Sequence, residues 1–375
     1  MTAPFVAGPN ELVGNAPLTP APSGARPAIV GVGTAVSPRS YTQDEVLDYF
    51  GITDERVRSV FHNSAIERRY LTLPPTDSHG RPVTETQGDL LRKHGRLGVE
   101  LGAAAVRACV EASGRTLDDL GYLCCVSSSG LLIPGLSALL IKDMGLSPRL
   151  SRLDVVGMGC NAGLNALNAV AGWSTANPGR VALMVCVEVC SAAYVLDATM
   201  RTSVVNSLFG DGAAAVAVST GAVAVEPGPA PRLLRFASHI IPEASGAMGS
   251  DWDDTAGKFR FFLDRDVPSV LGADVETVVD RLLDGTGLGR GDVAHWVIHS
   301  GGKKIVESVR SNLGLTRHDV RHTIGVLRDY GNLSSCSFLF SYERLLDEGI
   351  VNSGEYGVLM TMGPGLTIES ALVRF

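Results

Sequence analysis

An α/β protein with largely buried sheets, assembled from two similar halves, is the fold this sequence predicts. Two observations carry that reading. Continuous apolar runs alternate along the chain with stretches whose apolar residues recur at helical spacing, the pattern of strands covered by helices. One sub-pattern also occurs twice: a glycine elbow, a helix that begins on a polar residue, then a buried strand. Cys160 stands at the first elbow and Asn332 at the second. A duplicated, layered fold would bring these two helix starts together.

Residues 1–27, rich in Pro, Ala and Gly without periodicity, predict a disordered arm. The first half, 28–225, opens with a strand over Ala28–Val36, AIVGVGTAV. Its Gly31-Val32-Gly33 lacks the third glycine and the following helix of a dinucleotide site. Thr42 predicts the cap of a helix running to about Phe50. Further helices are predicted over Asp54–Ser64 and Gly88–Ala112, then a buried strand over Tyr122–Gly130. A Pro134-Gly135 turn and a helix to about Met144 lead to the Cys160 elbow. Buried strands follow over Arg180–Ser191 and Leu208–Ser219. Prolines at 227, 229 and 231 mark the boundary, and the second half covers 226–375. It predicts a helix over Val270–Leu283, a strand over His295–Gly302 and a helix to about Leu313. After the Gly331-Asn332 turn come a helix to about Glu348 and a last buried strand, Tyr356–Gly365.

The 375 residues suffice for one large domain or two halves sharing a core. A hydrophobic content of 45% beside 19% charged residues describes a well-buried globular protein. The formal net charge of −7 argues against a broad nucleic-acid surface, so an anionic substrate would need a local basic patch. No apolar run reaches the ~20 residues of a membrane span, and the first residues lack a signal-peptide design. The cysteines are seven, an odd number, and most lie inside apolar runs; none forms paired CxxC motifs. That pattern predicts neither a zinc site nor a disulfide framework, but a reduced, cytoplasmic protein.

Within LDVVGMGCNAGLNAL (Leu153–Leu167) an apolar strand breaks at Gly157-Met158-Gly159 and restarts as a helix, with Cys160 at the break. Glycines allow a turn sharp enough to hold the side chain out at its tip. Helix-start amides favour thiolate over thiol, so this position predicts a lowered Cys160 pKa. Gly163, one turn along, is expected to leave room for an acyl group on the sulfur. His299 ends an apolar strand before Ser300-Gly301-Gly302, and Asn332 begins a helix after Gly331. Taken singly, each has an ordinary alternative: a core cysteine, a satisfied core histidine, a plain N-cap. Together they supply a thiolate to accept an acyl group, a proton partner, and two donors for a thioester oxygen. An amide rather than a carboxylate suits Asn332, because a carboxylate would oppose the charge of an enolate.

GMGCNAG around Cys160, LFGDGAAA at Leu208–Ala215, WVIHSGG around His299, YGNLSS around Asn332 and the closing MGPGLTIE resemble the type III polyketide synthases, the chalcone-synthase-like enzymes. The resemblance runs from about Ala28 to the C-terminus. It implies a thiolase-like five-layered αβαβα fold of two similar halves, working as a homodimer, with no cofactor beyond CoA thioesters and no metal. It implies Cys160, His299 and Asn332 as catalytic residues, and Phe209 and Phe261 at the mouth between CoA tunnel and reaction cavity. Ser128, Cys190, Ala193 and Ser334 would line that cavity; Ala193 stands where plant members have Thr. Ile133-Pro134-Gly135 matches the family's Met-Pro-Gly loop that reaches across the dimer axis. For the CoA phosphates, Arg56 matches a plant basic position and Arg58 lies nearby, while Ser59 and Asn63 replace plant Arg and Lys. Lys303 and Lys304 are additional, and the phosphate contacts are expected to have moved partly to them; a solvated helix start is the alternative reading.

VGMGCNAGLNAL, RDYGNLSS and SGGKK are most similar to the bacterial members of glycopeptide-antibiotic pathways. That likeness implies condensation of four malonyl-CoA, then cyclisation and aromatisation to 3,5-dihydroxyphenylacetyl-CoA. Whether accessory proteins finish the aromatisation stays open, and neither nucleic acid nor membrane is an expected partner. Two alternatives are a chain-initiating 3-ketoacyl-acyl-carrier-protein synthase using the same Cys-His-Asn set, and a non-catalytic thiolase-fold partner.

Overall fold

The computed structural model describes residues 26–194, 199–221 and 230–375. All but the last two positions of the arm expected over 1–27 lie outside the described residues, as does the boundary expected at 225/226.

In the first half, β1 (Ala28–Val36) leads into a short pair, β2 (Ser40–Thr42) and β3 (Arg68–Tyr70). Helices α1 (Gln43–Tyr49) and α2 (Glu55–His62) lie between those two strands. There follow α3 (Gln87–Ala112), β4 (Leu120–Ser127), α4 (Leu136–Met144) and β5 (Ser151–Val156). Then come α5 (Ala162–Ala176), β6 (Val181–Val189), α6 (Met200–Leu208) and β7 (Asp211–Ser219). The second half begins with β8 (Arg232–Ile240), β9 (Met248–Asp253) and β10 (Lys258–Leu263). It continues through α7 (Val267–Leu283), β11 (Val293–Ile298), α8 (Lys303–Asn312) and α9 (Arg321–Tyr330). Helix α10 (Ser337–Asp347) and strands β12 (Tyr356–Gly363) and β13 (Thr367–Arg374) close the chain.

Helix starts obey local chemistry. Thr42 caps α1 in a reciprocal box with Glu45, Thr86 does the same for α3 with Asp89, and the Asp54 carboxylate takes the amides of Arg56 and Val57 at α2. Nine of the strands form one ribbon in the order β11-β12-β13-β8-β1-β7-β6-β4-β5, with β2-β3 and β9-β10 as separate pairs, but β1 and β8 share a single pair, Ala28 with Arg232. Two sheets therefore meet at a seam. On one side β5 and β6 flank β4 in parallel, β7 runs antiparallel to β6, and β1 antiparallel to β7. On the other, β11 is parallel to β12, β13 antiparallel to β12, and β8 antiparallel to β13. The second pattern repeats the first strand for strand, with β5 alone lacking a counterpart.

Helices α5 and α10 lie between the sheets and touch strands of both halves. Their apolar faces form the central core, with Leu167, Val170, Phe338 and Leu339 all under 2% exposed. Helices α3 and α4 cover the outer face of the first sheet, and α7 and α8 that of the second. The result is five layers, αβαβα. Gly31 and Gly33 in β1 serve this packing: a Cβ at either would run into the α3 backbone around Cys109.

Several elements differ from the sequence reading. The strand expected from Leu208 begins at Asp211, because 200–208 form α6, a helix written in β-branched and hydroxyl residues of poor helix propensity. Strand β11 stops at Ile298, so His299 lies just beyond it. The strand ending in MGPG is followed by another, β13, whose apolar run is interrupted by Glu369, which accepts from Ser238 and Asn165. Among the described residues no helix is long and apolar enough to cross a membrane.

Gly163 was expected to leave space beside the sulfur; instead it lets α5 press on the start of α10. A Cβ there would strike the Ser335 carbonyl and the Phe338 ring. Gly172, on the same helix, faces open space. Gly163→Ala should therefore lose about 1–3 kcal/mol of unfolding free energy through overpacking. Gly172→Ala should gain about 0.5–1 kcal/mol from helix propensity. Denaturant unfolding of the two variants checks this, and equal shifts would refute the packing role of Gly163.

Candidate active site

The elbow after β5 is built on left-handed glycines: Gly157 has φ +82° and Gly159 φ +76°. A 3-10 turn over Gly159–Asn161 carries Cys160 into α5. The turn is braced by the loop between β12 and β13. Added Cβ atoms at Gly159 and Gly363 would collide with Pro364 and Asn161 respectively. This contact explains Gly363 of the MGPG motif, while Gly365 holds a left-handed φ of +77°. Cys160 is 6% exposed, and its thiol donates to Ser334 Oγ at 3.6 Å. Ser334 itself holds a left-handed backbone, φ +50°, a strained state for a residue with a side chain.

His299 is pinned by its backbone, donating to Met360 O at 2.8 Å while its own carbonyl accepts from Gly301 N at 2.9 Å. A Cβ at Gly301 would crowd the His299 ring at 3.0 Å, which accounts for a glycine there. Asn332 divides its amide between two tasks. Its Oδ1 accepts from Ser334 N at 2.8 Å, a local turn that starts the helical segment. Its Nδ2 donates to Gly301 O at 3.2 Å, leaving a second N–H on the side of the Cys160 sulfur. Asn332 therefore does not begin the helix as expected: the helical segment starts at Ser334 with Leu333 at its cap, and Asn332 Oδ1 instead closes a turn just before it.

The three groups line one small apolar chamber with Phe209, Phe261, Met248 and Met362. The Phe209 and Phe261 rings meet edge to face, centroids 5.7 Å apart, and both also face a cavity of about 310 Å³. Ser128, Cys190, Ala193 and Ser334 line that cavity together with Cys160. Glu188 is in its wall too, a fully buried carboxylate that accepts from Ser128 N, Ser129 N and the Ser335 hydroxyl. The sequence reading passed over it as one letter inside an apolar strand.

On the opposite side of Gly301 a groove of about 640 Å³ is lined by Lys303, Lys304, Ser59, Asn63 and Arg265. Lys303 and Lys304 thus join the α2 face. Arg56 is exposed outside the groove, and Arg58 is engaged by Asp44 and Asp48. Arg265 is a further cation that the sequence reading did not single out. Among the described residues no cluster of three His, Cys, Asp or Glu side chains could hold a metal ion.

Electrostatics depart from the sequence expectation. Burial pushes the Cys160 thiol up to about 12, with the nearby Glu188 charge adding to the rise and hydrogen bonds from Ser334 and Asn332 opposing it. Burial also pushes the His299 imidazole down to about 3. The helix start is outweighed, because removing either charge from water costs more than a turn of amides returns. Each group alone is neutral. A proton passed from sulfur to imidazole would create two opposite charges together, each offsetting the other's penalty.

Comparison with known proteins places this geometry. Residues 21–222 match the N-terminal domain, and residues 233–375 the C-terminal domain, of chalcone and stilbene synthases. The chain is 65% identical over 356 residues to a 3,5-dihydroxyphenylacetyl-CoA synthase of Streptomyces toyocaensis, covering 94% of this chain and 91% of that one. It is 62% identical over 345 residues to the enzyme of that name in Amycolatopsis balhimycina, covering 92% of each. Among solved structures it is similar to PKS-I of the brown alga Ectocarpus siliculosus (TM-score 0.86, 25% identity, 94% and 99% of the two chains). The C-terminal type III polyketide synthase domain of Steely1 from Dictyostelium gives a TM-score of 0.84 at 27% identity, over 93% and 99% of the chains.

A pH experiment separates the two donors. Asn332→Ala should still be alkylated by iodoacetamide at Cys160 near the wild-type rate around neutral pH. If His299 accepts the Cys160 proton, His299→Ala leaves the sulfur with the burial penalty alone. Burial already holds this thiol well above its ordinary range, so thiolate in that variant accumulates only at pH above the pKa of a free thiol. Its alkylation should therefore be slow at neutrality and still rising, without a plateau, beyond the ~8.5 of a free thiol. A plateau near pH 8.5 in that variant would overturn the account.

Proposed function

Because the chain belongs to the chalcone and stilbene synthase family, the type III polyketide synthases, we propose that it condenses malonyl-CoA, four units in all, to 3,5-dihydroxyphenylacetyl-CoA. The observation that carries the product is identity above 60%, over more than nine-tenths of both chains, to synthases bearing that name. The arithmetic of the product agrees. Each malonyl unit leaves two carbons after losing CO2, and four such units supply the eight carbons of a dihydroxyphenylacetyl group.

In this reading Cys160 attacks the thioester carbonyl of a malonyl-CoA as its proton passes to His299, and the departing CoA thiolate takes that proton back; this starter loses its own carboxylate as CO2, its carbon taking up a proton, before the product is complete. A second malonyl-CoA then enters between Phe209 and Phe261. Its carboxylate leaves as CO2, and the electron pair moves onto the thioester oxygen as an enolate. The ring N–H of His299 and the free N–H of Asn332 hold that oxygen. Two such donors in a dry chamber lower the barrier by stabilising charge that exists only in the transition state. The enolate carbon attacks the acyl group on Cys160, a carbon–carbon bond forms, and the sulfur leaves as thiolate and takes up a proton from solvent. The lengthened chain on CoA returns to Cys160 for the next round. The apolar lining of the chamber favours CO2 loss, since a carboxylate is less stable there than the neutral gas it releases. No cofactor beyond the CoA thioesters enters this sequence.

Groove and cavity divide the substrate. We assign the CoA phosphates to Lys303, Lys304 and Arg265, and the growing chain to the chamber edged by Ser128, Cys190, Ala193 and Ser334. A homodimer in the cytoplasm is part of the same proposal. Its support is an unpaired edge: β5 ends the sheet and exposes Leu153 and Val156, beside a loop in which Leu131 is 58% and Ile133 92% exposed.

Malonyl-CoA alone, given to the purified protein, should yield 3,5-dihydroxyphenylacetyl-CoA or its open-chain tetraketide precursor by mass analysis. Cys160→Ala should fold normally and show no acyl adduct on the intact protein; an adduct persisting in that variant would exclude Cys160 as the nucleophile. Replacing Lys303 and Lys304 together by Ala should raise KM for malonyl-CoA and leave kcat nearly unchanged, because contacts far from the reacting carbon bind ground and transition states alike. Each exposed contact is worth ~1 kcal/mol or less. An unchanged KM at low and high salt would remove the lysines from the phosphate site.

A further inference from the structure

Arg69, in β3, is 0% exposed, yet among the described residues no carboxylate pairs with its guanidinium. One terminal nitrogen donates to Tyr194 Oη at 2.7 Å, Asn206 O at 2.6 Å and Phe209 O at 2.8 Å; the other donates to Gln43 Oε1 at 2.8 Å. The nearest opposite charge, Asp211, is itself taken up by Thr72 N and by the amide and hydroxyl of Ser191. Burying a cation without a paired anion is costly. What a guanidinium supplies that no neutral side chain can is a planar fork reaching several acceptors at once.

Those acceptors lie next to the proposed chemistry. Asn206 O and Phe209 O sit at the C-terminal end of α6, where carbonyls lack helix partners. The Phe209 carbonyl also accepts from Tyr194 Oη at 2.7 Å. On either side of Phe209 the chain grips Asn332: Asn332 N donates to Leu208 O at 2.8 Å, and Gly210 N donates to Asn332 O at 3.0 Å. The Arg69 stem packs on the same turn, for a Cβ at Gly331 would meet its Cγ and Cδ at 2.9 Å, and Gly331 has φ +75°. Tyr194, the other end of the fork, lines both the reaction cavity and a separate cleft of about 250 Å³.

We propose that Arg69 is a positioning residue, a buried clamp that fixes the Phe209 ring, the Tyr194 wall and the Asn332 amide relative to one another. The inference rests on the condensing activity proposed above. Substrate never touches Arg69; it acts by keeping the Leu208–Gly210 and Gly331–Leu333 segments in register. Loosening it lets Asn332 drift from the enolate oxygen and widens the chamber between Phe209 and Tyr194, so chains leave before they are complete.

The test uses Arg69→Lys, which keeps the charge and the stem but not the fork, and Tyr194→Phe, which removes only the hydroxyl. Arg69→Lys should lower kcat by about a hundredfold, the scale of a misplacement of roughly 1 Å, with little change in KM for malonyl-CoA. Truncated lactones should grow as a share of the products, and Tyr194→Phe should shift in the same direction by less. Hydrogen exchange should quicken in both clamped segments and nowhere near α7 or α8. Wild-type kcat and product ratio in folded Arg69→Lys overturns the proposal, as does lowered thermal stability with unchanged product ratio well below the transition. Should Arg69→Lys not fold, unchanged exchange and products in Tyr194→Phe refute it. A wild-type protein that makes nothing from malonyl-CoA refutes the activity instead, and exchange still decides the clamp.

Discussion

Everything at this site depends on two helix starts being driven into contact. The turn that bears Cys160 leads into α5 in one half and the segment from Asn332 leads into α10 in the other, and the central layer brings them together. Gly163 sets the distance, since any larger residue would hold α5 off the Ser335 carbonyl. From that contact follow the enclosure of Cys160, the seating of Glu188 against Ser335, and the wall that Ser334 presents to the sulfur. The dryness that results is not incidental. It makes an isolated thiolate or imidazolium expensive, and it strengthens every N–H aimed at a charge that forms only during reaction.

Asn332 shows how little material this requires. Its oxygen builds the turn that begins a helix, and its nitrogen ties that turn to the loop after His299. A carboxylate could form the turn but would repel an enolate. An alanine would leave both the turn and the loop without their link. The amide satisfies the fold with one end and faces the chamber with the other.

Much of the architecture was legible in the chain. The Cys160 elbow, the Thr42 cap, the alternation of buried strand and helix, and the convergence of Cys160, His299 and Asn332 all follow from local spacing and from motifs quoted in order. What stayed hidden depends on partners distant in sequence. Helix α6 is written in poor helix formers and is held by its neighbours, including Arg69 from β3. Glu188 reads as a flaw in an apolar strand until the serines that receive it are in place. The helix start at Cys160 was visible, whereas the burial that outweighs it was not, so the thiol pKa was read with the wrong sign. Arg58 shows the same limit: its charge is plain in the sequence, but Asp44 and Asp48, which occupy it, lie on another helix.

The seam between the sheets bears on how the molecule is made. Each sheet closes by returning its last strand to its first, β7 onto β1 and β13 onto β8, so native pairing waits for most of a half to be synthesised. The half bearing Cys160 emerges from the ribosome before the half bearing His299 and Asn332, and domains generally fold N-terminal first. During that interval the nascent chain carries Cys160 without the His299 and Asn332 segments beside it. The enclosure around the sulfur forms only when the central layer docks, so in an unfinished chain the Cys160 thiol lies open to solvent with the reactivity of an ordinary cysteine.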